Sequence, residues 1–175
     1  MDFDFSKLID YLKPKTEEVR TVDPMEERKA RLLDETKLLE TQGQKDPVNT
    51  IHPKGNSPLH GDSRAYGAYG LMPNTVREMA ARDLKTMGPG VKTLYKASDD
   101  KIYKALKDNE PLQRYVAQKV IETALEANPN ATDEELQYLY KYGHNKKLTE
   151  KDQPKIEKDE RTRRFKKLRN TLFSK

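Results

Sequence analysis

Between residues 112 and 125, Leu112, Tyr115, Val116, Val120, Ile121, Ala124 and Leu125 recur at intervals of three and four. On a helix of 3.6 residues per turn this spacing gathers them on one side over about four turns. Such a stripe must be covered by other elements, so the chain needs a helical core built around this segment. Asn109 as N-cap and Pro111 in the first turn mark its start, and Asn128, Pro129 and Asn130 turn the chain at its end. The 175 residues give room for one domain with extensions. With 34% hydrophobic and 36% charged residues and a mean hydropathy of -1.04, the apolar material fills only a modest core. The ends are expected to be the most solvated parts.

The remaining elements follow from periodicity and breakers. Phe5, Leu8, Ile9 and Leu12 predict a short amphipathic arm that stops before Pro14, giving an N-terminal segment of residues 1–23. Asp23 as N-cap with Pro24 behind it opens a helix carrying Leu32, Leu33, Leu38 and Leu39 on a narrow apolar face to about Glu40. Residues 42–69 hold Gly43, Pro47, Pro53, Gly55, Pro58, Gly61 and Gly67, too many breakers for a long element. This is a loop with room for a short hairpin, of a length that is usually functional or disordered. Thr75, Val76, Met79, Ala80 and Leu84 predict a helix after Pro73, ended by Gly88, Pro89 and Gly90. Ser98, Asp99 and Asp100 start a short helix with Ile102, Ala105 and Leu106. Thr132 and Glu135 have the form of a capping box ahead of Leu136, Leu139 and Tyr140. After Gly143 the pattern lapses, and beyond Pro154 the residues Ile156, Phe165, Leu168 and Leu172 make a sparse stripe on a very basic helix. The predicted fold is all-α, with five or six core helices in a domain of residues 24–146 and a basic C-terminal extension of residues 147–175.

From Lys146 onward there are twelve basic and five acidic residues, a surplus of seven, whereas the whole chain carries +5. The tail is therefore basic and the body slightly acidic, which suits contact with an anionic surface such as nucleic acid, membrane or cell wall; a solvated charged helix face is the plainer reading. Zero cysteines exclude disulfides, cysteine zinc sites and thiol nucleophiles. His52, His60 and His144 lack ligand spacing on a common helix face, so no metal or other cofactor is expected. Neither a glycine-rich phosphate loop nor a nucleophile elbow is present. No run approaches the roughly 20 apolar residues of a membrane span, and the N-terminus has no apolar run beside a basic start, so no conventional export is expected.

Residues 63–75 read SRAYGAYGLMPNT. This run resembles the lytic transglycosylase pattern in which a serine precedes A-x-G-x-x-Q-I-M-P-x-T, with Ala65, Gly67, Leu71, Met72, Pro73 and Thr75 in register. Gly70 stands where that family usually has glutamine. Upstream, Leu38, Leu39, Glu40 and Thr41 have the form of the family's catalytic glutamate at the end of an apolar helix. Glu35 with Thr36 repeats the dipeptide, but fewer apolar residues directly precede it. Downstream, Tyr140, Lys141, Tyr142 and Gly143 match a tyrosine-asparagine-x-glycine element except at Lys141.

The resemblance implies a lysozyme-like fold and non-hydrolytic cleavage of the bond between N-acetylmuramic acid and N-acetylglucosamine in peptidoglycan. It makes Glu40 the single acid and base, and Thr41, Ser63, Tyr66, Tyr69, Gly70, Met72 and Tyr140 the substrate-binding set. Physically, protonating a leaving oxygen needs a carboxyl that keeps its proton near neutral pH, which burial in a dry cleft favours. Asp46 and Asp62 are the loop acids available if a second carboxylate were needed, as in two-carboxylate hydrolases. Tyr66, Tyr69, Tyr140 and Tyr142 offer flat faces for sugar rings, although tyrosines at such spacing are as often core. A wall-cleaving motif without an export signal points to synthesis in a host cytoplasm and carriage in a bacteriophage particle beside other virion proteins, with action at the periplasm and wall. The alternatives are a virion adaptor that keeps this fold without activity, and a nucleic-acid-binding protein working through its tail.

Overall fold

The stripe at residues 112–125 forms the helix on which most of the other elements rest. The structure, a computed structural model, describes residues 23–41, 44–52, 63–82 and 93–173. Within them the chain is all-α: α1 (Pro24–Thr41), α2 (Pro73–Arg82), a 3-10 turn (Thr93–Lys96), α3 (Asp99–Leu106), α4 (Glu110–Ala127), α5 (Asp133–Tyr142), a second 3-10 turn (Glu150–Asp152), α6 (Gln153–Lys158) and α7 (Glu160–Phe173). Among the described residues there is no strand; isolated antiparallel bridges join Ile51 to Tyr66 and Tyr66 to Leu71. The predicted arm at Phe5, Leu8, Ile9 and Leu12, the helix end at Leu84 and its stop at residues 88–90 lie outside the described residues. No described helix is long and apolar enough to cross a membrane.

The helix starts follow the capping chemistry. Asp23 Oδ1 accepts from the Met25 amide at 2.9 Å, and Asn109 Oδ1 accepts from the Leu112 amide at 3.2 Å. Thr132 and Glu135 close their box at 2.7 and 3.2 Å. Ser98 differs, since its side chain makes no cap bond; α3 is anchored by Asp99, whose carboxylate accepts from Ser63 and Arg77. Those two bonds outweigh burial and hold the Asp99 carboxyl below its ordinary value.

One core joins Leu32, Leu33 and Leu39 of α1, Val76 and Met79 of α2, Val116, Val120 and Ile121 of α4, Leu136 and Leu139 of α5, and Phe165 of α7. α1, α2 and α5 pack on α4, and α7 packs on α5 and α1. Leu38 does not join them and is 47% exposed. At 100° per residue it lies one turn after Asp34 on the solvent side, while Glu35 and Thr36 take the inward positions.

The basic tail also departs from expectation: much of it is built into the core. Phe165 is wholly buried, and burying such a ring contributes about 2–3 kcal/mol. Arg161, Phe165, Leu168 and Arg169 fall at i, i+4, i+7 and i+8, so one face of α7 carries two guanidiniums around an apolar centre. α1 runs antiparallel to it and meets these guanidiniums with Glu40 and Glu35. Lys155, Lys158, Arg163, Lys166 and Lys167 stay exposed, so only part of the tail's charge faces solvent. The chain also breaks between α6 and α7 at Asp159, whose carboxylate accepts from the Thr162 amide at 2.9 Å and starts a new helix.

Candidate active site

Glu40 lies in the last turn of α1, where that helix meets the turn of residues 66–71. The amides and carbonyls of Tyr66 and Leu71 bond to each other in both directions at 2.9 Å, closing a four-residue turn. Gly67 and Gly70 hold φ of 75° and 59°, values that side chains disfavour. A second strap ties the turn to the preceding segment, with the Gly67 amide on the Thr50 carbonyl at 2.8 Å and the His52 amide on the Ala65 carbonyl at 2.9 Å.

Both glycines are also required by close approach. A Cβ at Gly67 would lie 2.2 Å from Gln113 Oε1, and a Cβ at Gly70 would lie 2.7 Å from Glu40 Oε2. Gln113 is fully buried on α4 and pins the turn. Its Oε1 accepts from the Ala68 amide at 2.8 Å, and its Nε2 donates to the carbonyls of Val48 and Leu106, each at 2.8 Å. The signal that could have found it is a glutamine at i of the set Gln113, Val116, Ala117 and Val120, a polar residue on a buried stripe that must have partners.

The two oxygens of Glu40 have different surroundings. Oε1 accepts from Arg161 Nη1. The guanidinium is itself fixed, donating from Nε and Nη2 to Gln137 Oε1 at 3.2 and 3.0 Å and lying over the Tyr140 ring at 5.1 Å. Oε2 faces Gly70 and, at 3.9 Å, His52 Nδ1. His52 Nε2 lies 2.8 Å from the Gly67 carbonyl. The Tyr140 hydroxyl donates to the Tyr69 carbonyl at 2.9 Å; burial, reinforced by the charge of Glu40, raises it far above the ordinary tyrosine value, so it stays neutral. The Glu40 side chain keeps 19% exposure.

Of the residues the sequence singles out, Glu40, Gly70 and Tyr140 come together here. The rings of Tyr66 and Tyr69 do not serve as sugar faces in this arrangement, because both are buried. Tyr66 donates to Asn49 at 3.2 Å and packs on Tyr103, while the Tyr69 hydroxyl accepts from Arg114 at 3.2 Å. Thr41 caps back onto the Lys37 carbonyl at 2.8 Å, and Ser63 holds Asp99; both bonds serve local structure. Met72 lies at the start of α2, its carbonyl accepting from the Val76 amide at 3.1 Å. The rival Glu35 is buried and takes both Nε and Nη2 of Arg169 at 2.9 Å, a closed ion pair.

Asp46 spends its carboxylate on Asn49, and Asp62 lies outside the described residues. Lys141 and Tyr142 turn toward Asp159, at 3.6 and 2.7 Å. Among the described residues no three of His, Asp and Glu converge as metal ligands would, and His144 pairs instead with Glu78 at 3.2 Å. The expected empty, dry cleft is corrected in one respect: a guanidinium from α7 sits against the carboxylate. The charge-complementary faces of α1 and α7 bring it there. Compared with known families, curated proteins and solved structures, the chain has no match.

Proposed function

We propose that the chain is a peptidoglycan lytic transglycosylase of lysozyme-like fold, with Glu40 as its acid and base. One observation carries this reading: the carboxylate at the end of α1 faces Gly70 in the very turn whose sequence resembles the family's substrate strip. Arg161 occupies Oε1, which leaves Oε2 for chemistry. In the reaction Oε2 gives its proton to the glycosidic oxygen as the bond to C1 breaks. The C6 hydroxyl of the same sugar then closes onto C1 and returns its proton to Glu40. Gly70 in place of glutamine is what lets the turn come this close, since any side chain there meets the carboxylate. The missing glutamine contact with sugar must then come from other groups, and Tyr140 is a tyrosine of the binding set that the charge of Glu40 reaches.

The proposal extends to carriage in a bacteriophage particle, with peptidoglycan strands and neighbouring virion proteins as partners. It is motivated by the resemblance of residues 63–75 to a wall-cleaving motif. Finding the protein absent from purified particles removes that part.

The ion pair with Arg161 favours a second reading. A carboxylate of one helix paired with a guanidinium of another is the arrangement of an anchor between helices. The chain would then be an inactive virion adaptor of the same fold. Zymography on purified peptidoglycan separates the two: clearing by wild type and none by Glu40→Gln supports the enzyme, while no clearing by wild type supports the adaptor.

A further inference from the structure

His52 is the neighbour of Glu40 that the transglycosylase reading does not use. Its Nε2 lies 2.8 Å from the Gly67 carbonyl, and a carbonyl oxygen can only accept. Nε2 therefore carries the hydrogen, and in the neutral ring Nδ1 carries the lone pair. That lone pair lies 3.9 Å from Glu40 Oε2. Oε1 is already filled by an Arg161 N–H, so a proton on Glu40 belongs on Oε2. Two bare lone pairs facing each other repel, whereas one proton between them binds the groups together. The gap is one that a small side-chain rotation closes.

The other charged or titratable groups facing this pair do not compete for the proton. Arg161 and Arg164 of α7 are permanently cationic, the latter donating to the Leu39 carbonyl at 2.8 Å. Tyr140 of α5 is committed to the Tyr69 carbonyl and stays neutral.

We propose that His52 is the proton partner of Glu40, the two groups holding one proton between Nδ1 and Oε2, so that His52 positions and reloads the acid. Its use in catalysis rests on the transglycosylase reading. The proton leaves Oε2 for the glycosidic oxygen as the C1–O bond breaks, the C6 hydroxyl's proton returns to the pair as the new C1–O bond forms, and none is gained or lost.

The test begins with long-range proton–nitrogen spectra of the imidazoles in the full chain, assigned with His52→Gln. His52 is expected as the Nε2–H form, with an Nδ1 resonance that moves in Glu40→Gln as the carboxylate facing it is lost. An Nδ1–H ring, or the same Nδ1 resonance in both proteins, overturns the proposal. The second arm is kinetic. In His52→Gln the amide still donates to Gly67 but has no titrating nitrogen. Turnover should drop about 100-fold with KM unchanged, and the pH profile should change shape. A profile identical to wild type overturns the catalytic role. If wild type cleaves nothing while the Nδ1 resonance still moves, the transglycosylase reading falls and the proton pair stands.

Discussion

Glu35 and Glu40 stand five residues apart on α1, each followed by a threonine and each accepting from an arginine of α7, yet the two positions differ in kind. At Glu35 both oxygens are bonded, Arg169 also reaches Asp133, and Arg28 reaches the same aspartate at 2.7 Å. The side chain is 3% exposed and every partner is itself tied down. At Glu40 only Oε1 has a donor among the described residues, and Oε2 looks at a glycine and an imidazole. A closed network fixes helices. A carboxylate with one oxygen left over retains chemical capacity, so the same dipeptide yields a buttress at one position and a candidate acid at the other.

The largest expected effect is on stability at the buttress. Glu35→Gln leaves the half-buried Arg169 without its buried ionic partner, and unfolding in urea should show a loss of about 3 kcal/mol. Glu40→Gln, at a partly exposed site, should lose only about 1 kcal/mol by the same measurement. Equal losses would erase the distinction between the two positions.

The glycines sharpen it further. Gly67→Ala must move a fully buried glutamine with three bonds and adopt a disfavoured φ, and should cost about 3 kcal/mol. Gly70→Ala meets the far end of a side chain that can swing, so its cost should be nearer 1–2 kcal/mol, with the damage falling on activity. Thermal melts and wall-clearing assays of both variants read the two effects separately.

The smallest effect is in acid. Burial alone would raise the Asp133 carboxyl, but bonds from Arg28 and Arg169 outweigh it and hold it below the ordinary 3.8. A depressed folded value means stability that is complete above the unfolded value and lost as pH falls through the folded one. The buttress should therefore be unaffected at mildly acidic pH and weaken only below about pH 4. Urea midpoints of wild type and Asp133→Asn, which lacks this dependence, should converge there.

Much of the scaffold was legible in the residues. The stripe of α4, the Asp23, Asn109 and Thr132 caps and the breakers at residues 128–130 depend on local chemistry, and local chemistry repeats in the structure. What escaped was long-range pairing. Leu38 looked apolar and inward, yet helix phase turns it to solvent and puts Glu35 inside. The tail looked like a solvated charge run because its partners, Glu35 and Glu40, lie more than 100 residues away. His52 and Arg161 act on a site assembled from residues that the sequence keeps apart, so composition and periodicity gave them no special mark; Gln113 was marked only as a polar residue on a buried stripe. The turn at residues 66–71 was visible as a motif, whereas spacing left open whether its two tyrosine rings were core or sugar faces, and the structure buries both.

The most direct measurement is mass spectrometry of the fragments released from purified peptidoglycan by wild type and by Glu40→Gln. Release of 1,6-anhydro muropeptides by wild type and none by the variant is the predicted result. Reducing ends in their place, or anhydro products undiminished by the variant, would contradict Glu40 as the acid that starts the ring closure.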